Sequence, residues 1–563
     1  MDQVFGDGSV GEVWFAFRGD SRFSGGMKVS HPVLSCAQGA SWEKHLLDGD
    51  EKREWEAMRR AGCAIGFGVL EDWRETGLSL EGESVLVLVG KGHNGGDALI
   101  AVTEIFRKVS SVRIAVLFTS GERSLRPLVA RAWRELQGVA GVFVRSDTLP
   151  LGGDIADWLE ARLGRTAWAV CLDGVLGLRF KPPLRPGLEA LLRWINGRAD
   201  VVLRGAVDLP SGVGDLSAAE PFRADFTYMP GFVKFPLLTS AVERWAGRLR
   251  YLDLGFFEDS EPAGTDSVRG DSQQMERRVI QPAILRPLLG LRDPLGHKVD
   301  HGHLFLVGGC RTLAGAILMS VLAAVRSGVG LVTAFVPQSL APAFAARAPE
   351  AMWVPCPETP GGGLAMETLG FFQEQASHAS AMVLGPGLGK EPETHALARE
   401  ILKQTTCPVL LDADGLTSEL VEAAVSRAGD DRLVLTPHGG EFVRVSGMDF
   451  KRFGESGLLT YARQCGAVLV FKGPPFTRVT DGRALWYALN GGPVLARGGS
   501  GDVLSGLIGG FLAGRRQEPL LETVSRAVFW QGDAADNLAR EQGVVSVVAT
   551  DLIRFLGKTL IKQ

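Results

Sequence analysis

The chain has 563 residues, too many for one ordinary hydrophobic core, and its 45% hydrophobic and 22% charged residues are those of a globular protein with more than one domain. A formal net charge of −4 with no long basic run argues against nucleic acid or an anionic membrane surface as partner. Seven scattered cysteines without a CxxC pair, no basic-then-apolar start and no apolar run of bilayer length point to a reducing, cytoplasmic setting, without disulfide framework, zinc site, signal peptide or membrane span.

Residues before about 30 show no strong period and read as a loose leader, and residues 41–73 carry a helical pattern with Trp55 and Met58 among charges. ESVLVLVG then reads as a buried strand, followed by a glycine-bearing loop and a helix with Leu99, Val102, Ile105 and Phe106 on one face. Further strands are expected at 112–118, 167–172 and 201–207. The polar, Ser/Gly/Asp-rich stretch 257–277 is the best linker candidate. After it the alternation restarts, with HLFLV, the helix AGAILMSVLAAVRSG, LVTAFV, and strands at 380–384, 408–411, 432–435 and 467–471. The expected architecture is α/β, with two domains at 31–258 and 278–563 joined by 259–277, each a mostly parallel sheet flanked by helices.

Four strand ends of the second half carry polar or glycine-bearing loops, where open α/β sheets gather ligands: GPGLG, DADGL, TPHGGE and KGPPFT. Beyond them, Gly498, Gly499, Ser500 and Gly501 precede a helical period that runs from Val503 to Leu512. These residues open a helix whose free N–H groups favour an anion, phosphate above all, and Asp502 in its first turn is placed to take a proton from a substrate hydroxyl. Asp412 and Asp414, on one side of a strand end by period two, read as ligands of hydrated Mg2+ or as helix caps. His438 and Glu441 stand at the same rim, Lys472 is placed to meet a nucleotide phosphate, and Asn490 and Gly491 precede the glycine loop.

GPGLG, LLDADGL, LTPHGGEF, FKG and GGSGDVLSG, in this order, resemble the ADP- or ATP-dependent NAD(P)H-hydrate dehydratases of the ribokinase-like superfamily over about 278–563. The resemblance implies dehydration of NADHX or NADPHX to NADH or NADPH, with Mg2+ and ADP or ATP. It implies hydrate contacts at Ala316, Gly387, His438 and Asp502, and nucleotide contacts at Lys472, Gly473, Pro474, Pro475, Phe476 and Gly501. Gly439 replaces the family's usual Pro, and Arg497 replaces a Thr before the glycines, with an altered phosphate contact as the expected effect.

In the first half, GKGHNGGDALIAV follows a strand and opens a helix but lacks the spacing of a hydride-transferring Rossmann motif. Asn94, Asp173 and Asp208 with Ser211 bring oxygens to strand ends, a set suited to a cation or a polar substrate. These segments resemble the NAD(P)H-hydrate epimerases over about 31–258, which implies a Rossmann-like fold. The resemblance implies K+ ligands at Asn94, Asp173 and Ser211, hydrate contacts at His93, Asn94, Gly95, Gly96, Asp97, Gly177 and Asp208, and Asp208 as the acid/base for inversion at C6. His93 departs from the family's first Asn, and Leu178-Arg179 from its Thr-Gly, with Arg179 or Lys181 as substitute phosphate ligands. A homo-oligomer is also implied. The competing reading is a small-molecule kinase of hydroxymethylpyrimidine or thiazole type, attached to a non-catalytic binding module.

Overall fold

The computed structural model describes residues 28–47, 49–262, 275–430, 432–515 and 517–561; the sequence's leader falls almost wholly outside them. The N-terminal strands are β1 (Ser30–Leu34), β2 (Ser84–Val89), β3 (Arg113–Phe118), β4 (Val144–Thr148), β5 (Trp168–Gly174), β6 (Val201–Val207), β7 (Phe226–Pro230), β8 (Val233–Lys234) and β9 (Arg248–Leu252). Seven of them form a parallel sheet of order β4-β3-β2-β5-β6-β7-β9. The order reverses between β2 and β5, and the carboxyl ends of these two strands open the crevice expected of a doubly wound sheet.

The 41–73 pattern resolves into two helices, α1 (Cys36–Leu47) and α2 (Glu51–Trp73). Gly49, at φ 67, breaks the first helix, and Asp50 starts the second by accepting from the N–H groups of Lys52 and Arg53. Trp55, Met58, Ile65 and Val69 fall on one stripe of α2 and bury it against α3 (His93–Lys108), at about 1.5–3 kcal/mol for each large apolar side chain.

The second half contributes β10 (Glu276–Ile280), β11 (His303–Val307), β12 (Leu331–Pro337), β13 (Met352–Cys356), β14 (Ala381–Leu384), β15 (Val409–Leu411), β16 (Leu433–Leu435), β17 (Val468–Phe471), β18 (Thr477–Thr480) and β19 (Ala484–Ala488). Its sheet runs β13-β12-β11-β14-β15-β16-β17-β18-β19-β10-β1-β8. It is parallel from β13 to β17, and antiparallel where β17, β18 and β19 meet.

The two sheets meet at a seam, where β1 and β8 of the first half extend the second half's sheet through β10. β10 also begins at Glu276, inside the stretch read as linker. Val33, Met229, Val233, Phe476, Leu485 and Tyr487 share one buried cluster across this seam. Among the described residues no helix is long and apolar enough to cross a membrane.

Candidate functional sites

At the second sheet's reversal, between β11 and β14, the GPGLG turn meets the start of α4 (Ala314–Arg326). Gly387 takes φ 64, and a Cβ there would lie 2.5 Å from the Leu313 carbonyl and 3.2 Å from the Ala316 methyl. Only glycine brings this turn so close to the helix start, and Gly387 and Ala316 are thereby neighbours. The next loops supply His438, the N-cap of α5 (Gly439–Ser446), and Lys472, which is bridged to His438 through the backbone.

Asp502 lies half-buried in the first turn of α6 (Ser500–Gly514), whose N-cap Gly499 has φ 93. Burial first, then the charges of Asp412, Asp414 and Glu441, outweigh Lys472 and push its carboxyl up to about 7. That is the range of a general base working near neutrality.

Asp412 and Asp414 take different partners. The β strand before them ends at Leu411, and Ala413 takes φ 52, so their period-two alignment is broken. Asp412 is 1% exposed and accepts from Lys472 Nζ and Thr436 Oγ1, each at 2.7 Å, and from Ser505 of α6. Burial alone would raise its carboxyl, but Lys472 and these hydroxyls hold it below the usual range. Asp414 accepts from the Gly389 N–H at 3.1 Å instead. Asp412 is thus committed to protein partners, and Lys472 is the partner of a buried anion. The pair stands under the phosphate loop, since a Cβ at Gly501 would lie 3.3 Å from Lys472 Nζ.

His438 is exposed and its Nδ1 accepts from the N–H groups of Gly440 and Glu441, while Glu441 returns a bond to the His438 N–H at 2.8 Å. This reciprocal cap leaves the far edge of the ring at the rim. Gly473, Pro474 and Pro475 line the outer loop, but Phe476 is 3% exposed and packs on Tyr487 and Arg478, so its side chain belongs to the core. Arg497 Nη2 donates to the carbonyls of Val544 and Val545, each at 2.7 Å.

In the first half, α3 begins at His93, with Gly92 as its cap, so the HNGGD segment is a helical first turn. Its glycines face protein: a Cβ at Gly95 would lie 2.2 Å from the Gly90 carbonyl and one at Gly96 2.5 Å from Met58 Sδ, while in the loop after β5 one at Gly177 would lie 2.6 Å from the Asn94 amide. Asn94 and Gly177 are therefore in contact, and Asn94 Nδ2 donates to the carbonyls of Leu176 and Val207 at 3.1 and 3.0 Å. His93 is exposed on its side chain, and burial of part of the ring lowers its basicity.

Asp173 is fully buried and accepts from Ser211 N at 2.7 Å, Ser211 Oγ at 2.6 Å and Val175 N at 3.2 Å. No cation stands among these partners, and burial pushes the carboxyl up to about 6. The Ser211 hydroxyl that donates to Asp173 also accepts from the Leu176 N–H at 2.9 Å.

Asp208 takes φ 71 and forms an ion pair with Lys234 Nζ at 2.5 Å. Lys234 is wholly buried, donating to the Pro230 carbonyl at 3.0 Å with its ammonium 4.1 Å from the Phe232 ring centre. Asp97 is also buried, with one oxygen unpartnered, and burial, Asp208 and Glu43 raise it well above the carboxylate range. Burial, then Asp208, pushes Glu43 up to about 7. The site thus sets the Asp208–Lys234 ion pair beside two carboxyls, Asp97 and Glu43, that burial and the charge of Asp208 raise. Lys234 and Glu43 were not singled out from the sequence. Leu178 packs among the apolar clusters of this region, while Arg179 and Lys181 are exposed.

Residues 304–558 match the family model described as NAD(P)H-hydrate dehydratase, and residues 54–234 match that described as YjeF-related protein N-terminus. A protein of Gloeobacter violaceus named bifunctional NAD(P)H-hydrate repair enzyme is 33% identical over 502 residues, covering 88% of this chain and 91% of its own. Its namesake from Moorella thermoacetica is 30% identical over 485 residues, covering 84% and 86%. The solved ADP/ATP-dependent NAD(P)H-hydrate dehydratase of Bacillus subtilis, co-crystallised with ATP/Mg2+, is 27% identical and covers 48% of this chain and 93% of that one, at a TM-score of 0.40.

Proposed function

Because the chain belongs to the bifunctional NAD(P)H-hydrate repair enzymes, we propose that its two sites act in turn on one damaged cofactor, with Asp208 serving inversion and Asp502 serving dehydration. The first site interconverts the R and S hydrates of NADH or NADPH, and the second returns the S hydrate to the dihydropyridine.

The observation that carries the assignment of Asp502 is its place: half-buried, in the first turn of a helix opened by Gly498 to Gly501, with a carboxyl near 7. In this reading Asp502 accepts the proton of the C6 hydroxyl, whose oxygen attacks the terminal phosphoryl of ADP or ATP. The new O–P bond forms as the bond to the leaving nucleotide breaks, and the helix N–H groups stabilise the charge that develops. The C6–O bond then breaks, inorganic phosphate leaves, C5 gives up a proton, and the ring double bond is restored. Gly387, Ala316 and His438 border the hydrate, while Gly473 to Pro475 and Gly501 border the nucleotide. Mg2+ accompanies the nucleotide phosphates, because Asp412 is already committed to Lys472.

At the first site K+ would be held by Asn94, Asp173 and Ser211, supplying the positive charge that buried Asp173 lacks. Asp208 acts as acid/base at the C6 hydroxyl, and the ion pair with Lys234 at 2.5 Å fixes its carboxylate there.

Paired variants test the division of labour. Asp502→Asn lowers kcat for dehydration of the S hydrate by about a hundred- to ten-thousandfold and spares epimerisation, and Asp208→Asn does the reverse. Undiminished dehydration in Asp502→Asn, or R-hydrate consumption by Asp208→Asn equal to wild type, overturns the corresponding assignment.

A further inference from the structure

The dehydratase phosphate loop is seated on one helix, and that helix is gripped from the other half of the chain. The segment from Asn490 to Ser500 connects β19 to α6. It lies against α7 (Leu520–Gln542) at three places. Asn490 Nδ2 donates to the Phe529 carbonyl at 2.9 Å, Gln531 Nε2 donates to the Ser500 carbonyl at 2.6 Å, and the Gly491 N–H donates to Asp536 Oδ1 at 3.2 Å. Two of these anchors bracket the turn that enters the loop, and the third holds the residue beside Gly501.

Asp536 is buried, and its other bonds all leave the C-terminal half. Arg248 Nη2 donates to Oδ1 and Arg250 Nη1 to Oδ2, both at 2.7 Å, from β9 of the epimerase sheet. Burial would raise the Asp536 carboxyl, but Arg250 and Arg248 hold it below its usual range. The arginines are themselves fixed. Arg248 pairs with Glu75 at 2.5 Å, Arg250 reaches both oxygens of the wholly buried Asp72, and both guanidiniums lie over the Phe226 ring at 4.9 and 5.3 Å. Arg248 also covers the loop itself, since a Cβ at Gly492 would lie 2.6 Å from its guanidinium carbon.

We infer that Arg248, carried by the epimerase sheet and backed by Arg250, is a positioning residue for the nucleotide loop of the dehydratase site. The physical link is continuous: Arg248 to Asp536, Asp536 to Gly491, and the same helix to Ser500 through Gln531. Arg248 touches neither nucleotide nor hydrate. It acts by holding the Gly491–Gly492 turn, and with it the register of the glycine loop, so its loss falls on nucleotide binding. The family match of the dehydratase segment begins at residue 304, so a dehydratase excised at that boundary lacks this support. The inference rests on the assignment of the glycine loop to the nucleotide made above.

The test uses the full chain. ATP affinity is measured by calorimetry for wild type, Arg248→Ala and Arg248→Lys, alongside R-to-S epimerisation and thermal unfolding. Arg248→Ala is expected to weaken ATP binding about tenfold and leave epimerisation within about twofold of wild type, with Arg248→Lys recovering most of the affinity through its remaining charge on Asp536. ATP affinity unchanged in Arg248→Ala overturns the inference, as does a loss that tracks equal losses in epimerisation and in unfolding temperature. If Arg248→Ala does not fold, Asp536→Asn serves in its place, keeping an acceptor for Gly491 while removing the charge, with the same tenfold expectation and the same refuting result. Wild-type hydrate turnover reads the functional assignment separately: a wild type that binds ATP but converts no hydrate fails the assignment and leaves the Arg248 comparison readable.

Discussion

Replacing Lys472 by Met separates electrostatics from packing at the dehydratase site. The substitution keeps most of the side-chain volume and removes the cation bonded to Asp412, which is 1% exposed. At 2.7 Å the gross attraction is about 6 kcal/mol with an effective dielectric constant of about 20. Desolvation of both groups offsets much of this, and breaking a buried pair from one side costs about 3–5 kcal/mol because an unpaired charge remains. Lys472→Met is therefore expected to lose about that much in urea unfolding at pH 7, and the double variant Lys472→Met/Asp412→Asn to regain most of it. The loss shrinks at low pH, because Asp412 is held below its ordinary range when folded. Its contribution is full above the unfolded value of about 3.9 and disappears as pH falls through the lower folded value. Activity has its own signature. Lys472 is the group that lowers the Asp502 carboxyl, so without it the rise of dehydration rate with pH moves above 7. A double variant no more stable than Lys472→Met, or an unmoved pH profile, would refute the reasoning.

Three further outcomes follow from the same geometry. In the wild type, kcat/KM for dehydration is expected to climb with pH through about 7, because Asp502 must lose its proton to act as base; a rate flat from pH 5 to 8 (about the window where this carboxyl titrates) contradicts it. Epimerisation is expected to require K+ and to lose that dependence in Asp173→Asn, measured as rate against added KCl at fixed ionic strength; equal rates for wild type with and without K+ would remove the cation from the account. Lys234→Met is expected to slow epimerisation, because it removes the partner that fixes the Asp208 carboxylate, while dehydration stays unchanged; an epimerisation rate equal to wild type would dissociate the lysine from Asp208.

Much of this arrangement was legible in the residues because each functional loop ends a short, strongly apolar strand. LLDADGL and FKGPPF announce strand ends by composition alone, and GGSGDVLSG joins a glycine run to a helical period. What side chains do at those ends was less legible, since it depends on partners far away in sequence. Asp412 finds Lys472 and Ser505 across 60 and 93 positions, and no local pattern distinguishes such a pair from a metal ligand and a solvated lysine. Lys234 closes a two-residue strand and resembles a surface lysine until Pro230, Phe232 and Asp208 close around it. Glu43 sits among Lys44, His45 and other polar residues of α1, where a buried carboxyl has no special spacing. The shared sheet was hidden for a related reason: β1 and β10 are five residues each and β8 only two, so their pairing across the seam leaves no periodic trace. Glycines 95, 96 and 177 also carry a packing role that their spacing does not announce, since a Cβ at each would meet Gly90, Met58 and Asn94 in turn.

The central claim is that phosphate transferred at Asp502 does not remain on the product. It is tested most directly by incubating the full chain with the S hydrate of NADH and ATP labelled at the terminal phosphate. The account predicts that NADH forms with one labelled inorganic phosphate for each hydrate consumed, and that no labelled nicotinamide product persists. A stable phosphorylated product, or phosphate release with the hydrate intact, would contradict it.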